Sequence, residues 1–315
     1  MVDRMRRAQL DEWGSPEVLH VVDDAAVPEA YPGHLLLETT SIGLNPVDWK
    51  TRAGSGVADQ LPASRPLVLG WDIAGTVVAT GHDSTGFEVG DTVFGMAGFP
   101  GLGNAYADYV AVRAIDVAHA PTDVDPAELA GTPMVSLTAW QALFAIAELV
   151  AGQRVLIHGG AGGVGHMAVQ FAVNAGATVF ATAGPSDQQF ITELGASPID
   201  YTKGDFADHI DKVDLVLDTI GGKVFTRSLD VIADGGRIVT TPDPSQLDIA
   251  RRRGIRADWV FVHPDQAQLT EIAALQSAGK IHTRIDRRFT LAEIAEAHAY
   301  GEQGRAHGKI VVTPR

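Results

Sequence analysis

The 315-residue sequence contains no cysteine. This absence excludes disulfide bonds, thiolate catalysis and any zinc site with cysteine ligands. The eleven histidines do not compensate, because no two of them are spaced as His-x-His or His-x-x-x-His. We therefore expect no metal site.

Basic residues are also scarce, since 24 Lys and Arg stand against 39 Asp and Glu, which gives a formal net charge of −15. A chain of this charge repels the phosphate backbone of nucleic acids. The one basic cluster, Arg251 to Arg253 with Arg256, is more simply interpreted as an exposed loop beside a strand. We expect no nucleic-acid partner.

Long apolar runs are missing as well. No stretch approaches the ~18 uninterrupted apolar residues that cross a bilayer. The positively charged start, Met1 to Arg7, has no apolar run behind it, unlike a secretory signal. The expectation is a cytoplasmic protein that has no membrane partner.

The pattern along the chain changes after about residue 120. Short β-like runs separated by Gly and Pro come first, at 18–22, 35–42, 73–79, 91–94 and 106–112, and predict a closed or folded β domain. Helices are predicted at 128–134 and 137–149. From 155 to about 262, strands and helices alternate, which predicts parallel βαβ units. The length is enough for two globular domains.

The most informative stretch is Val155-Leu-Ile-His-Gly-Gly-Ala-Gly-Gly-Val-Gly165. An apolar strand, a glycine turn and an apolar helix follow one another, which is the context in which G-x-G-x-x-G binds a dinucleotide. We expect Gly160 to permit the tight turn, Gly162 to let the backbone approach a pyrophosphate, and Gly165 to let the helix pack on the strand.

The amides of Gly163 and Val164 open this helix, and the positive end of its dipole would meet the phosphates. The competing interpretation is a glycine-rich connector that binds nothing. The strand before the turn and the helix after it favour the dinucleotide site.

The next strand, 178–182, indicates which dinucleotide binds. It ends in Ala183-Gly-Pro-Ser186 without an acidic residue, and Asp187 is predicted to cap the following helix. A carboxylate at this tip would hold a ribose 2′-hydroxyl and repel a 2′-phosphate, so its absence favours NADP(H). The available contacts are Thr182, Gly184, Ser186 and backbone amides, because no Lys or Arg stands beside the turn.

Seven further motifs accompany the glycine motif. In order they are Gly43-Leu-Asn-Pro-Val-Asp-Trp-Lys50, Leu69-Gly-Trp-Asp-Ile-Ala-Gly75, Phe87-Glu-Val-Gly-Asp-Thr-Val93, Ser136-Leu-Thr-Ala-Trp-Gln-Ala142, Leu194-Gly-Ala196 leading to Ile199-Asp-Tyr201, Val216-Leu-Asp-Thr-Ile-Gly221 and Gly308-Lys-Ile-Val-Val312. With them the chain resembles, nearly from end to end, the zinc-independent quinone oxidoreductase branch of the medium-chain dehydrogenase/reductase superfamily.

The resemblance implies an α/β protein with two domains. A GroES-like, β-rich catalytic domain would comprise 1–122 and 264–315, and a Rossmann-type domain with a doubly wound parallel sheet would comprise 123–263 and bind the dinucleotide. It also implies a homodimer, with the apolar segment 255–262 pairing across the two-fold axis.

Zinc-dependent members of the superfamily carry a catalytic Cys and His where this chain has Asn45 and Trp71. Without those ligands no metal polarises an alcohol oxygen, so alcohol oxidation is not expected. The resemblance implies hydride delivery from NADPH to a small, electron-poor acceptor, a quinone or an α,β-unsaturated carbonyl. Trp49 and Trp71 are candidates to line the acceptor cleft.

Four further residues match family positions. Asn45 is predicted to donate to the substrate oxygen or the nicotinamide carboxamide, or else to be a turn residue before Pro46. Thr138 is predicted to face the nicotinamide half of the cofactor, or else to bond within its helix. Tyr201 is expected near the adenosine phosphate or in the core, and Lys309 at the cofactor or in solvent.

Other polar residues receive structural roles. Asp48 and Lys50 are predicted to form a local pair. His158 and His166, which flank the glycine turn, are predicted to pack or to face solvent, and His298 to lie on the surface.

We therefore predict an NADPH-dependent, zinc-independent quinone oxidoreductase or enone reductase. One alternative is an enoyl-thioester reductase, which would need a basic groove for the phosphates of its carrier. The other is a non-catalytic sensor or structural protein that binds NADPH and reduces no acceptor.

Overall fold

The computed structural model describes residues 3–314. The chain divides into two compact units. Unit 1 comprises the residues up to Met134 and those from His263 onward, and unit 2 is Val135–Val262.

Unit 1 is built mainly of β-strands. In its first part these are β1 (Arg4–Gln9), β2 (His20–Ala26), β3 (His34–Leu44), β4 (Asp72–Thr80), β5 (Thr92–Met96), β6 (Tyr109–Arg113) and β7 (Val117–His119). Helix α1 (Pro46–Arg52) follows β3, and α2 (Pro126–Gly131) follows β7. Strands β1 and β7 are absent from the sequence prediction, because neither carries the apolar run on which that prediction depends.

Helix α3 (Pro133–Trp140) leads into unit 2, and its last turn continues as a π-helix over Gln141–Ile146. The single helix predicted at 137–149 is therefore wrong in its bounds. The strands of unit 2 are β8 (Arg154–Ile157), β9 (Thr178–Ala183), β10 (Ser197–Asp200), β11 (Val213–Asp218), β12 (Ile232–Thr240) and β13 (Arg256–Trp259). The helices between them are α4 (Gly163–Asn174), α5 (Gln188–Glu193), α6 (Gly222–Ser228) and α7 (Leu247–Arg252).

The chain then returns to unit 1 through α8 (Gln266–Ser277), β14 (Ile285–Thr290), α9 (Ile294–Glu302) and β15 (Lys309–Thr313). The larger sheet of unit 1 has the order β14-β15-β3-β4-β5-β7, with β6 also paired to β3. Strand β15 lies antiparallel to β3, with Val311 opposite Gly43.

Residues 123–134 pack with unit 1, although the sequence analysis assigns them to the dinucleotide-binding domain. The reason is the close fit of α2 on β3: a Cβ on Gly43 would lie 2.2 Å from the Ala130 carbonyl oxygen. Only a residue without a side chain permits this approach.

The sheet of unit 2 is parallel and has the order β10-β9-β8-β11-β12-β13. The order reverses between β8 and β11, which is the pattern of a doubly wound sheet. Its core includes Leu156, Val216 and Ile238 from three neighbouring strands, with Phe225 from α6. The predicted combination of a β-rich part and a parallel α/β part is confirmed.

Within residues 3–314, no helix is long and apolar enough to cross a membrane.

Candidate active site

The glycine turn of unit 2 follows β8, at the point where the strand order reverses. The chain leaves β8 toward β9 on one side, while β11 lies on the other. In open parallel sheets this reversal leaves a crevice at the carboxyl ends of the strands, where ligands bind.

Gly160 lies within the tight turn, which the Gly162 amide closes on the Gly159 carbonyl oxygen (2.9 Å), but the residue with the positive φ is Gly159. Gly159 has φ 63°, in the left-handed region that favours glycine. Gly160 is also needed for packing, because a Cβ there would lie 2.8 Å from Ala181 Cβ and 2.9 Å from Ile191 Cδ1. Both amides bond to Thr182: that of Gly159 donates to Oγ1 (3.2 Å) and that of Gly160 to the carbonyl oxygen (2.9 Å).

The other two glycines of the motif differ in their surroundings. A Cβ on Gly165 would lie 2.0 Å from the Gly159 carbonyl oxygen, so α4 packs directly on the turn. A Cβ on Gly162 would meet only that same oxygen, at 3.3 Å, and its other side is open. The amides of Gly163 and Val164 begin α4 and have no carbonyl one turn earlier to bond. These residues fit a dinucleotide pyrophosphate.

The tip of β9 carries the next predicted contacts. Thr182 is only 4% exposed, and its hydroxyl is held by the Gly159 amide and by His158 Nδ1 at 3.1 Å. It therefore shapes the turn and does not present a free hydroxyl. Gly184 is half-buried and Ser186 is exposed just beyond the strand, whereas the carboxylate of Asp187 is buried.

Tyr201 lies beyond the end of β10 and is 59% exposed, so the alternative placement in the core is wrong. Its hydroxyl oxygen lies 3.5 Å from the position of a Cβ on Gly184. Two residues later, the exposed Lys203 contacts Asp200 (Nζ to Oδ2, 3.4 Å). The sequence alone does not point to this cation, because only the pairing of Asp200 with Ala183 brings the two strand ends together.

Unit 1 holds the remaining predicted residues in a buried polar cluster of Asn45, Asp72 and Lys309. Asn45 Nδ2 donates to Asp72 Oδ2 at 2.8 Å, and Lys309 Nζ donates to Asn45 Oδ1 and to the Leu44 carbonyl oxygen (2.8 Å). Lys309 Nζ lies 3.3 Å from Asp72 Oδ2. Lys309 is 2% exposed, so its placement in solvent is wrong.

Charge and burial oppose each other in this cluster. Burial lowers the pKa of Lys309 and raises the pKa of Asp72, while their mutual attraction works against both shifts. The Asp72 carboxylate also accepts the Asn45 amide group and the Met134 backbone amide (2.9 Å). These bonds fix the Asn45 side chain at the N-terminus of α1.

A second buried chain of bonds begins at Asp48. Its carboxylate accepts the Asn45 backbone amide (2.8 Å) and the Tyr106 hydroxyl (2.7 Å), and that hydroxyl lies 2.9 Å from His298 Nε2. Burial raises the pKa of Asp48 to about 7 and lowers the pKa of His298 to about 3. Asp48 is thus not paired with Lys50, which is exposed, and His298 is fully buried and not on the surface.

Trp71 is a packing residue of unit 1. It is fully buried, its Nε1 donates to the Gly101 carbonyl oxygen at 2.7 Å, and its ring meets Phe99 edge to face. It therefore holds the loop after β5 and leaves no ring surface for a ligand. Thr138 lies in α3 and is 7% exposed.

In the part of the chain that the structure describes, no group of three or more His, Cys, Asp or Glu side chains is arranged to hold a metal ion.

Two family models match parts of the chain. Residues 31–122 match the alcohol dehydrogenase GroES-like domain, and residues 194–312 match the zinc-binding dehydrogenase family. The first lies in unit 1, and the second begins after β9 and α5 and covers the second half of unit 2 together with the return to unit 1.

Similar proteins align over nearly the whole chain. The mitochondrial NAD(P)H oxidoreductase RTN4IP1 of Danio rerio is 32% identical over 96% of this chain and 90% of its own length. The chloroplastic NADPH-dependent alkenal/one oxidoreductase of Arabidopsis thaliana is 31% identical over 96% of this chain and 78% of its own. The solved structure of the quinone oxidoreductase from Coxiella burnetii is 36% identical, covers 99% of both chains and superposes with a TM-score of 0.93.

Proposed function

Because the chain belongs to the quinone oxidoreductase branch of the medium-chain dehydrogenase/reductase superfamily, we propose that it is an NADPH-dependent reductase of quinones or α,β-unsaturated carbonyls. The observation that carries the proposal is the glycine turn of unit 2. Gly162 leaves open the side on which a pyrophosphate would lie, and the first amides of α4 are free to bond it. Relatives named for reduction of quinones and alkenals by NAD(P)H support the same activity.

When bound, NADPH would supply the hydride, while the chain supplies position and electrostatics. Gly162, Gly163 and Val164 would hold the pyrophosphate, and Gly165 keeps α4 against the turn. A quinone or enone accepts hydride without a metal because conjugation spreads the developing negative charge. A hydrogen-bond donor at the acceptor oxygen adds to this stabilisation.

The preference for NADPH over NADH is part of the proposal. The 2′-phosphate would be met by Gly184, Ser186 and Tyr201, with Lys203 as the nearby positive charge. Asp187, the acid just past the strand tip, is buried, and its carboxylate accepts the Ser186 hydroxyl at 3.2 Å.

Independence from zinc is proposed from the residues at the two ligand positions of zinc-dependent relatives. The Asn45 amide is held between Asp72 and Lys309, and the Trp71 indole donates its one N–H to Gly101. Neither side chain offers zinc the nitrogen or thiolate ligand that it prefers.

In unit 1, the proposed reacting residues are Asn45 and Lys309. Asn45 Nδ2 carries two hydrogens, of which Asp72 accepts one, and the second is the donor proposed for the acceptor oxygen. Lys309 and Asp72 orient this amide. Thr138 is proposed to contact the nicotinamide half of the cofactor.

A homodimer is proposed from the edge of the parallel sheet. Strand β13 stands at the end of the strand order, and an exposed strand edge is a template for pairing with a second copy about a two-fold axis. Phe261, two residues past β13, is 41% exposed. Light scattering on the protein as it elutes from a size-exclusion column should give twice the mass of one chain.

A cytoplasmic location is also proposed, and cell fractionation tests it.

The activity is tested with the purified chain, NADPH and two panels of acceptors: quinones, and enones with matched saturated ketones. We expect oxidation of NADPH with quinones or enones, none with the saturated ketones, and no loss of activity after dialysis against a chelator. Tight binding of NADPH without turnover of any acceptor would instead identify a sensor. Turnover restricted to enoyl thioesters would identify the other alternative.

A further inference from the structure

His158 stands between β8 and the glycine turn, and the proposed function gives its side chain no role. It is 1% exposed. Its Nδ1 lies 3.1 Å from Thr182 Oγ1 at the tip of β9, and its Nε2 lies 2.8 Å from Ser228 Oγ in α6. The ring thus joins three elements at the carboxyl edge of the sheet.

The direction of these hydrogen bonds follows from Ser228. Its hydroxyl donates to the Val224 carbonyl oxygen at 2.7 Å, and a hydroxyl has only one hydrogen. The bond to His158 must therefore run from Nε2–H to Ser228 Oγ. If Ser228 instead donated to Nε2, its Oγ and the Val224 carbonyl oxygen would lie 2.7 Å apart with no hydrogen between them.

The other side of the ring is then also determined. With the hydrogen on Nε2, Nδ1 of the neutral ring is an acceptor and receives the Thr182 hydroxyl hydrogen. The Thr182 oxygen in turn accepts the Gly159 amide. One directed chain results, from Gly159 N–H through Thr182 and His158 to Ser228 and the Val224 carbonyl. Burial lowers the pKa of His158 to about 3, so the ring stays neutral and the direction is kept.

The chain of hydrogen bonds begins at Gly159, the residue that sets the turn. Gly159 has the positive φ, and the backbone before it is held by a second bond, from Thr219 Oγ1 to the His158 carbonyl oxygen at 2.8 Å. Without His158 the Thr182 hydroxyl would lose its acceptor and be free to rotate. The Gly159 amide would then lose a fixed partner.

We propose that His158 is a positioning residue for the dinucleotide: through Thr182 it holds the Gly159 amide, and thereby the glycine turn, in the geometry that binds the pyrophosphate. The inference rests on the proposed NADPH site and adds to it a residue that does not contact the cofactor. If the role of His158 were purely structural, its replacement would lower the stability of the fold without changing the affinity for the cofactor.

The decisive measurement is the Kd for NADPH of His158→Leu and His158→Gln, set beside their melting temperatures. Leucine removes both bonds, whereas the glutamine amide offers one acceptor and one donor in place of the ring nitrogens. We expect Leu to weaken NADPH binding about tenfold, the equivalent of about 1.4 kcal/mol, and to raise the KM for NADPH in step. We expect Gln to restore most of the affinity.

Phe206→Leu is the matched control. Phe206 packs edge to face on the His158 ring, with centroids 4.6 Å apart, but its side chain makes none of the hydrogen bonds of the directed chain. It should lower the melting temperature as His158→Leu does and leave the Kd for NADPH unchanged. An equal loss of affinity in Phe206→Leu would show that general destabilisation is the cause and would overturn the inference.

Thr182→Val breaks the same chain of hydrogen bonds with little change in side-chain volume. It replaces His158→Leu as the test variant if His158→Leu does not fold. It should weaken NADPH binding by a similar factor, and the double variant should lose no more than either single one, because both remove one coupled unit. Additive losses, or unchanged affinity in Thr182→Val, would contradict the role of His158. Failure of the unmodified chain to bind NADPH would instead contradict the proposed function itself.

Discussion

Lys309 and Asp72 lie 237 positions apart in the chain, and their side chains form a buried ion pair in unit 1, with Nζ 3.3 Å from Oδ2. The pair joins the first residue of β15 to the first residue of β4. Asn45 bonds to both partners, so the pair also fixes the residue proposed to meet the acceptor.

Replacing Lys309 by Met should lower the free energy of unfolding by about 3–5 kcal/mol, because the Asp72 charge is then buried without its partner. Urea unfolding followed by circular dichroism measures the change. The double variant Lys309→Met/Asp72→Asn should recover much of the loss, since it leaves no lone charge. Equal destabilisation of the single and double variants would contradict this account of the pair.

Asp48 should make stability depend on pH. Its pKa in the folded chain, about 7, exceeds the ordinary value of 3.8, so the folded state holds the proton more tightly. The stabilising contribution is complete below pH ~4 and is lost as the pH rises through 7, with an upper limit of about 4 kcal/mol. Unfolding of Asp48→Asn between pH 4 and 8 should show a flatter slope than the unmodified chain, and identical slopes would disprove the assignment.

Two glycines of the turn should respond differently to substitution. Gly162→Val should abolish NADPH binding with little change in melting temperature, because the new side chain meets only the Gly159 oxygen at 3.3 Å and fills the space of the pyrophosphate. Gly165→Ala should lose stability as well, because its Cβ would lie 2.0 Å from that oxygen. Titration calorimetry and thermal unfolding of both variants provide the comparison; a Gly162→Val chain that still binds NADPH would place the pyrophosphate elsewhere.

Lys203→Ala should weaken binding of NADPH and leave binding of NADH nearly unchanged. An exposed charge near the 2′-phosphate contributes on the order of 1 kcal/mol, about a fivefold change in Kd. Lys212→Ala is the control. Lys212 directly precedes β11 and so lies at the amino ends of the parallel strands, whereas Lys203 follows β10 at their carboxyl ends. Lys212 Nζ donates to the Asp230 carbonyl oxygen. Equal effects of the two substitutions would rule out a local role for Lys203.

The sequence predicted the features that depend on local order along the chain. The alternation of strands and helices, and the change from a β-rich to an α/β pattern, follow from apolar periodicity, and the structure has both. The glycine motif located the turn correctly. It did not single out Gly159, which has the positive φ, because the spacing of the motif concerns only Gly160, Gly162 and Gly165.

Contacts between residues far apart in the chain do not follow from local sequence patterns. His298 stands in a polar tail segment that suggests a surface position, yet Tyr106, 192 positions earlier, bonds to it in the core. Lys203 was overlooked for the same reason, since only the register of β10 on β9 brings it near Gly184. Burial of Lys309 depends on Asp72, and neither residue alone predicts the other.

The pairing of β15 with β3 has a consequence for the order of folding during synthesis. Residues 135–262 form a compact unit from one continuous stretch and can fold as soon as that stretch leaves the ribosome. The sheet of unit 1 is incomplete at that time, because β3 is paired with β4 and β6 but lacks β15, and Asp72 lacks Lys309, until residues 309–313 emerge. The nascent chain therefore carries a finished α/β unit together with an incomplete sheet, and the unpaired part of β3 is open to pairing with other strands in this interval.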